Sequence, residues 1–330
     1  MIKAIDFKNF RVLKDATLPL GRFSLLIGPN GSGKTTALRA FEVTKQIIAN
    51  PYKNFFKEAI TAGINEGVAI NFRWRGQLDG GVTTVTLSPK IYGKITHQGT
   101  GDLDLIKRLL EQVRIYSFNP DAISHPVFLD PDEELKPDGG NLPIVLDRMR
   151  DEEPERFDAL NDELRRWLPE FDRVMFETPE KGKRAILLRT RKGQHSIPPK
   201  YLSQGALFAL GLLTLAYLPD PPSIIGIEEP DIGMHPRLLR DVRDALYRLS
   251  YPENYGESRK PVQIIATTHS PYLLDLFKDH PEEIVIAQVD EAGTHFERLS
   301  DRSDLDEIIQ DTHLGEIWYS GILGGVPAAK

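Results

Sequence analysis

The chain contains no cysteine, so disulfides and thiolate metal sites are excluded and a reducing compartment is its simplest home. Long hydrophobic runs are also missing. The most apolar stretch, residues 207–218, is too short to span a bilayer and reads as a buried helix. The first ten residues lack the apolar centre of a secretory signal, and these absences together predict a cytoplasmic protein with no membrane contact. There is no excess of positive charge. The formal net charge is −7, so a nucleic-acid partner would have to be held by a local basic patch. No internal repeat or sustained heptad pattern occurs, which argues against a solenoid and a long coiled coil. What is present is 330 residues, 40% apolar and 27% charged, the balance of a globular protein able to bury a real core.

The hydrophobic pattern predicts strands at 2–7 and 23–27, then a helix over 34–48 with Leu38, Phe41 and Ile47 among its apolar positions. Residues 69–74 and 82–87 read as two strands joined through Asp79, Gly80 and Gly81, which suggests an antiparallel insert. A helix is expected over 103–113 and a strand over 115–118, followed by an exposed connection rich in Pro, Asp and Gly at 119–142. Asn141 is placed to cap a helix reaching Met149. Phe157, Leu160, Leu164 and Trp167 share one face of a helix over 154–168. Another strand pair is expected at 174–176 and 184–189. From residue 202 onward helices (203–218, 236–249, 271–277) alternate with apolar strands (224–227, 262–267, 284–287). That order implies a parallel sheet with covered faces.

Residues 28–35 run Gly28, Pro29, Asn30, Gly31, Ser32, Gly33, Lys34, Thr35, the full G-x-x-x-x-G-K-[ST] pattern, with Thr36 following. Glycines let backbone N–H groups curl around phosphate oxygens, and the helix that follows points its positive end at the same anion. Lys34 brings a cation to the β- and γ-phosphates, and the Thr35 hydroxyl can ligate Mg2+. A strand leading in and a helix leading out are the context this chemistry needs, so the loop is read as an ATP site.

Three further segments carry polar residues at strand or helix ends. Residues 223–230 form an apolar run ending in Glu228 and Glu229. The bland reading is a strand meeting solvent. The functional reading lays that strand beside the one feeding the phosphate loop, with Glu228 facing the Mg2+ shell and Glu229 orienting or deprotonating the attacking water. Residues 264–271 form a second apolar run ending in Thr268, His269 and Ser270. His269 is either a surface residue capping the next helix or a partner of the γ-phosphate and its water. Ser203 and Gly205 open the most hydrophobic helix; Ser203 is a natural N-cap, or with Gly205 it forms a second phosphate-binding end that serves another chain's nucleotide.

In this order, the four segments resemble those of the ABC-type ATPases. The match is with the SMC-like and RecF-like branch and, within it, the bacterial predicted AAA-family ATPases related to OLD-type proteins. Residues 5–11, with Asn9, Phe10 and Arg11, look like that branch's first strand and aromatic–arginine turn. Residues 202–206 look like the ABC signature. Residues 228–231 with Met234, His235 and Pro236 look like the extended Walker B and D-loop, residues 268–271 like the switch histidine motif, and residues 314–318 like the ending of the same predicted ATPases. The resemblance implies an α/β P-loop head: a mixed, largely parallel core sheet, an antiparallel N-terminal subdomain and a helical insertion. It implies that two heads close as a homodimer around two ATP molecules. One chain supplies Lys34, Thr35, Glu228, Glu229 and His269 to each site, and its partner supplies Ser203 and Gly205. Arg11 either adds a charge near the phosphates or is a solvated turn residue.

Two departures stand out. Glu228 occupies a position where most of the family carries Asp, and Gln204 and Ala206 replace the usual signature residues. Gln77 and Asn119 are the candidates for the Q-loop. The expected organisation is a nucleotide core over about 1–49 and 200–300, an insertion over about 50–199 and a tail over 301–330. Lys181, Lys183, Arg184, Arg189, Arg191 and Lys192 cluster around one strand, either as a DNA-phosphate contact or as a protected sheet edge. The acidic segment 131–136 is too compressed for a nuclease centre, so a nuclease effector, if the protein acts in DNA processing or phage defence, is expected on a separate chain. The alternatives are an ATP-binding subunit of a transporter and a nucleotide-dependent scaffold with negligible turnover.

Overall fold

At the N-terminus the alternation does what a half-buried strand requires. In β1 (Ile2–Phe10) Ile2, Ile5, Phe7 and Phe10 are buried while Lys3 and Lys8 face solvent. A computed structural model describes the chain except for residues 63–65, 91, 131–133, 292, 306–307, 309–312 and 324–330. Its contacts divide the chain into two units. The first comprises Met1–Ile115, Pro222–Ile227 and Pro261–Lys330, and the second Tyr116–Pro221 and Glu228–Lys260.

The first unit opens with β1, β2 (Leu13–Pro19), β3 (Phe23–Ile27), α1 (Lys34–Ala49), α2 (Phe56–Ala59), β4 (Val68–Trp74), β5 (Val82–Leu87), β6 (Lys94–Gln98), α3 (Leu103–Glu111) and β7 (Arg114–Tyr116), whose last residue falls in the second unit. The second unit carries α4 (Pro120–Ile123), β8 (Val127–Phe128), α5 (Leu142–Glu152), α6 (Pro154–Trp167), β9 (Phe171–Glu177), β10 (Lys183–Thr190), β11 (Ser196–Ile197) and α7 (Gln204–Tyr217). The chain returns to the first unit for β12 (Ile224–Glu228), whose last residue again belongs to the second, as does α8 (Leu239–Ser250). It ends in the first with β13 (Gln263–Thr267), α9 (Pro271–Asp275), β14 (Ile284–Val289), β15 (Thr294–Arg298) and the helix Leu314–Tyr319.

Two sheets build the first unit. One is antiparallel with order β2-β1-β4-β5-β6. The other is mixed with order β15-β14-β3-β13-β12-β7, in which β3 runs parallel to both β13 and β14 while β15 is antiparallel to β14. Every residue of β3 and β13 is buried, which is why both are predominantly apolar. Among their buried polar residues, Gln263 ties the sheets together. Its Oε1 accepts from Ile2 N at 2.8 Å, and its Nε2 donates to Ile2 O at 2.7 Å and Gly21 O at 2.8 Å. A side chain with no exposed surface is tolerable there because its donors and acceptor are satisfied by backbone.

In the second unit α6 buries Phe157, Leu160, Leu164 and Trp167 on the expected face. Buried Asn161 links α6 to its neighbour, accepting from Val174 N at 2.7 Å on β9. β10 pairs antiparallel with β9, β8 and β11. Helix α7 is buried from Ala206 to Tyr217, so it has no amphipathic stripe and is recognisable only by its length and apolarity.

The structure changes several expectations. The strands at 69–74 and 82–87 are not an insert: they extend the sheet begun by β1, because β1 offers an edge that only a non-local partner can pair. The contact boundary into the second unit therefore falls at residue 116 rather than near 50, and residues 200–221 and 228–260 lie in that unit. The strand ending at Glu228 is not beside β3, since β13 lies between them. Asn141 does not cap α5. Its buried side chain instead accepts from Lys136 N at 2.8 Å and donates to Glu134 O at 2.8 Å, closing the loop before the helix.

Candidate functional site

In the first unit the phosphate loop leaves β3 at the edge where its neighbours also end. Leu26 is in register with Thr267 of β13, Ile27 with Ile286 of β14, and Thr268 N donates to Leu26 O at 3.1 Å. Three parallel strands thus deliver Gly28, His269 and Ala287 to one edge, the position where open α/β sheets bind ligands.

Local geometry there demands glycine. Gly28, Gly31 and Gly33 have φ of +149°, +79° and +94°. A Cβ on Gly28 would stand 2.3 Å from Ala287 O, and one on Gly33 would stand 2.6 Å from Leu13 Cδ2. Gly33 opens the 16-residue helix α1 with no side-chain cap and no acidic residue in the first turn, although Asp and Glu are favoured there in most helices. The helix end is therefore left electropositive, the condition for binding an anion. Lys34 is 5% exposed, and its Nζ donates to Gly28 O at 2.8 Å, Pro29 O at 3.0 Å and Ser32 Oγ at 3.4 Å. The loop holds its own ammonium centrally. Ser32 is fully buried, whereas Pro29 and Thr36 are half-buried and Asn30 and Thr35 are exposed at the rim.

The hairpin turn between β1 and β2 abuts this loop through Val12 and Leu13. Arg11 sits in that turn with φ +52°, among Arg39 and Glu42 of α1 and Glu58 of α2. Burial pushes its guanidinium below the ordinary arginine pKa and Arg39 adds repulsion, against the opposing pull of the two glutamates. Its Nε is buried without a hydrogen-bond partner among the described residues.

His269 is half-buried and follows β13 directly. It is not the cap of α9. Ser270 is, accepting from Leu273 N at 3.2 Å, while Ser270 N donates to Thr268 Oγ1 at 2.9 Å. The indole of Trp318 lies beside the imidazole, with ring centroids 6.5 Å apart and planes at 47°. Residues 314–318 had only a resemblance to point to them, because nothing in their local pattern brings them to residue 269.

In the second unit Ser203 does cap α7, accepting from Ala206 N at 3.2 Å, and both Ser203 and Gln204 are exposed. Gly205 has a packing reason of its own: a Cβ there would stand 2.6 Å from Gly233 O. The turn after β12 is tight, with Ile232 N donating to Glu229 O at 3.0 Å and Met234 N to Asp231 O at 3.1 Å. Glu229 adopts φ +44°, a left-handed conformation that costs a glutamate free energy and concentrates at functional positions. Glu228 Oε1 is buried without a hydrogen-bond partner among the described residues. A carboxylate oxygen in that condition fits a cation ligand. No cluster of three or more His, Asp or Glu side chains among the described residues is arranged to hold a metal.

Other candidates separate from these. Asn119 caps α4, accepting from Asp121 N at 2.9 Å, and Gln77 is exposed in a short turn. In the basic strip Lys183 pairs with Glu180, Arg184 with Asp147 and Arg189 with Asp172 through two 2.9 Å hydrogen bonds. Arg189 holds the Asp172 carboxyl below the usual aspartate range. Lys181, Arg191 and Lys192 are exposed. The acidic segment 131–136 lies partly outside the described residues, at 131–133.

A family model described as "AAA domain, putative AbiEii toxin, Type IV TA system" matches residues 87–275, more than half of the chain, and one described as "AAA ATPase domain" matches residues 1–137. Among curated proteins the chain is similar to the OLD nuclease of Thermus scotoductus, 54% identical over 43 residues, which is 13% of this chain and 8% of that protein. Solved SMC heads share the fold. A head bound to the C-winged helix domain of ScpA matches 90% of this chain and 96% of its own, with TM-score 0.63 and 15% identity. The Thermotoga maritima head matches 90% and 98%, with TM-score 0.54 and 14% identity. A Pyrococcus furiosus head matches 94% and 99%, with TM-score 0.62 and 16% identity.

Proposed function

The chain belongs to the AAA ATPase domain family, and from that premise we propose that it binds Mg2+·ATP and hydrolyses it as a two-state switch. The observation that carries the reading is the uncapped, acid-free start of α1 wrapped by glycines in left-handed conformations around Lys34. A triphosphate exchanges the Lys34 contacts to Gly28 O and Pro29 O for phosphate oxygens, and its oxygens accept from the start of α1, which no side chain caps. Thr35 and Glu228 would hold Mg2+, which would supply charge neutralisation for the phosphates. Glu229 orients or deprotonates the attacking water, and His269 hydrogen-bonds the γ-phosphate end. Arg11 adds positive charge beside the loop.

The partner side of this proposal is a second copy of the chain. Ser203 and Gly205 at the exposed end of α7 would contact the other copy's γ-phosphate, so ATP favours a closed homodimer and hydrolysis releases it. A separately encoded effector, a nuclease among the candidates, would read that state in DNA processing or phage defence. DNA contact through Lys181, Lys183, Arg184, Arg189, Arg191 and Lys192 receives less support, because three of the six are already paired with carboxylates. A cytoplasmic location accords with the absence, among the described residues, of any helix long and apolar enough to cross a membrane.

The test is the Glu229→Gln variant with ATP. A switch loses hydrolysis yet accumulates ATP-dependent dimers in sedimentation, and Ser203→Arg added to it abolishes those dimers while ATP binding persists. Dimers that ignore ATP, or an unchanged turnover in Glu229→Gln, would reject the switch. Co-purification with a membrane protein would favour the transporter reading, and nucleotide-dependent assembly that Glu229→Gln leaves unaltered would favour the scaffold.

A further inference from the structure

The turn that carries Glu229 is stiff along its length. Glu229 opens it at φ +44° and Gly233 stands near its end at φ +68°, both left-handed. Between them Ile232 N donates to Glu229 O at 3.0 Å, and Met234 N donates to Asp231 O at 3.1 Å. A glutamate stays in the left-handed region only where its surroundings over-determine it.

Part of those surroundings is helix α7 of the same unit. Gly205 and Phe208 are three positions apart and so share one face of that helix. Gly205 leaves space where a Cβ would stand 2.6 Å from Gly233 O and 4.0 Å from Met234 Cα. A Cβ on Gly233 would stand 3.5 Å from both Phe208 Cδ2 and Phe208 Cε2, and 3.8 Å from Gly205 N. Phe208 is 9% exposed, so packing holds its ring. The bare backbone of Gly233 thus lies in a notch on α7, floored by Gly205 and walled by the edge of the Phe208 ring.

We infer that Phe208 is a positioning residue for Glu229: with Gly205 it seats the turn over residues 229–234 and so fixes the backbone from which the Glu229 carboxylate leaves. The inference rests on the proposed role of Glu229 in ATP hydrolysis. Glu229 and Asp231 have further interactions of their own, and what the notch sets is the seat of the turn. It gives α7 a task within its own chain, apart from what Ser203 offers to another copy. Loss of the ring lets the turn shift at Gly233, and the two hydrogen bonds of the turn carry the shift to Glu229. Lys34 and its loop are unaltered, so kcat falls while KM for ATP holds. Tyrosine, which keeps the ring edge, keeps the wall.

The experiment compares Phe208→Ala, Phe208→Tyr and Leu210→Ala in the full chain, with folding checked by circular dichroism and thermal melting. Leu210 is fully buried on the same helix but two positions on, which puts it on the opposite face from Phe208. Phe208→Ala is expected to lower kcat about tenfold to a hundredfold, the scale of a misplaced catalytic group, with KM for ATP nearly unchanged. Phe208→Tyr should restore most of it, and Leu210→Ala should keep the wild-type kcat. Phe208→Leu carries the same expectation as the alanine variant and replaces it if that variant does not fold. In parallel, the amide signal of Gly233, assigned by its disappearance in Gly233→Ala, should shift on Phe208→Ala and stay in place on Leu210→Ala. A folded Phe208→Ala with wild-type kcat, a Phe208→Tyr or a Leu210→Ala as slow as Phe208→Ala, or an unmoved Gly233 signal overturns the inference. Absence of turnover in the unaltered chain that still binds ATP overturns the hydrolytic reading instead, and the Gly233 signal then still decides whether Phe208 seats the turn.

Discussion

Two helices begin at segments that the amino-acid pattern marks for phosphate, and they begin differently. Helix α1 starts at Gly33 with no side-chain cap and no acid in its first turn. Helix α7 starts at Ser203, whose hydroxyl already takes the Ala206 N–H. The first helix end is open to an external anion, and three glycines at positive φ, where other residues would be strained, shape the loop before it. The second end is complete without a ligand. A phosphate arriving at α7 therefore competes with a cap, whereas one arriving at α1 meets a helix start that no side chain caps. On the proposed reading, that difference would let one end bind nucleotide by itself while the other acts only when another copy presents the anion.

Gly28→Ala is the harshest way to break the contrast, since it forces a Cβ against Ala287 O. ATP affinity measured by calorimetry should fall at least about a hundredfold, roughly 3 kcal/mol. Retained affinity would mean that the loop's left-handed geometry is not what binds. Gly205→Ala comes next. The approach of Gly233 O predicts overpacking of about 1–3 kcal/mol in nucleotide-free chemical denaturation, because this glycine is needed by packing before any phosphate is present. Unchanged stability would return Gly205 to a purely ligand-directed role. Ser203→Ala should cost about 1 kcal/mol in the same assay, the worth of one N-cap, and no loss would show that α7 is as open as α1. The smallest effect is expected of Glu229→Gly. Relief of its left-handed backbone should add up to about 1 kcal/mol of stability while turnover disappears. A destabilised Glu229→Gly variant would show that its side chain, not its backbone, organises the turn crowding Gly205.

Legibility in the sequence followed locality. Residues 28–35 could be read because loop, preceding strand and following helix are contiguous, and β3, β5 and α1 are found where the pattern puts them within a residue. Ser203 was readable as a cap because capping is a three-residue interaction. The packing of Trp318 beside His269 was not readable, because the 48 intervening positions carry no periodicity that joins them. Neither was the role of Gln263, a polar residue beginning an apolar strand, since its three acceptors and donors come from residues 2 and 21. The strands β2, β6 and β15 were missed because edge strands with exposed alternate residues resemble loops in composition.

By itself the sequence determined the anion-binding chemistry: glycine spacing, one lysine, one hydroxyl and the helix that follows act over eight residues and need no tertiary partner to be recognised. It also determined the parallel character of the core, because strands buried on both faces must be apolar throughout. Tertiary structure alone decided which strand lies between β3 and β12, that β4 and β5 complete the sheet of β1, and that three cations of the basic strip are already neutralised. It also decided that a helix near the carboxyl end stands against His269. The physical reason is common to all of these. Strand order, ion pairing and ring packing depend on which surfaces meet in space, and surfaces brought together over hundreds of residues leave no periodic trace in the chain.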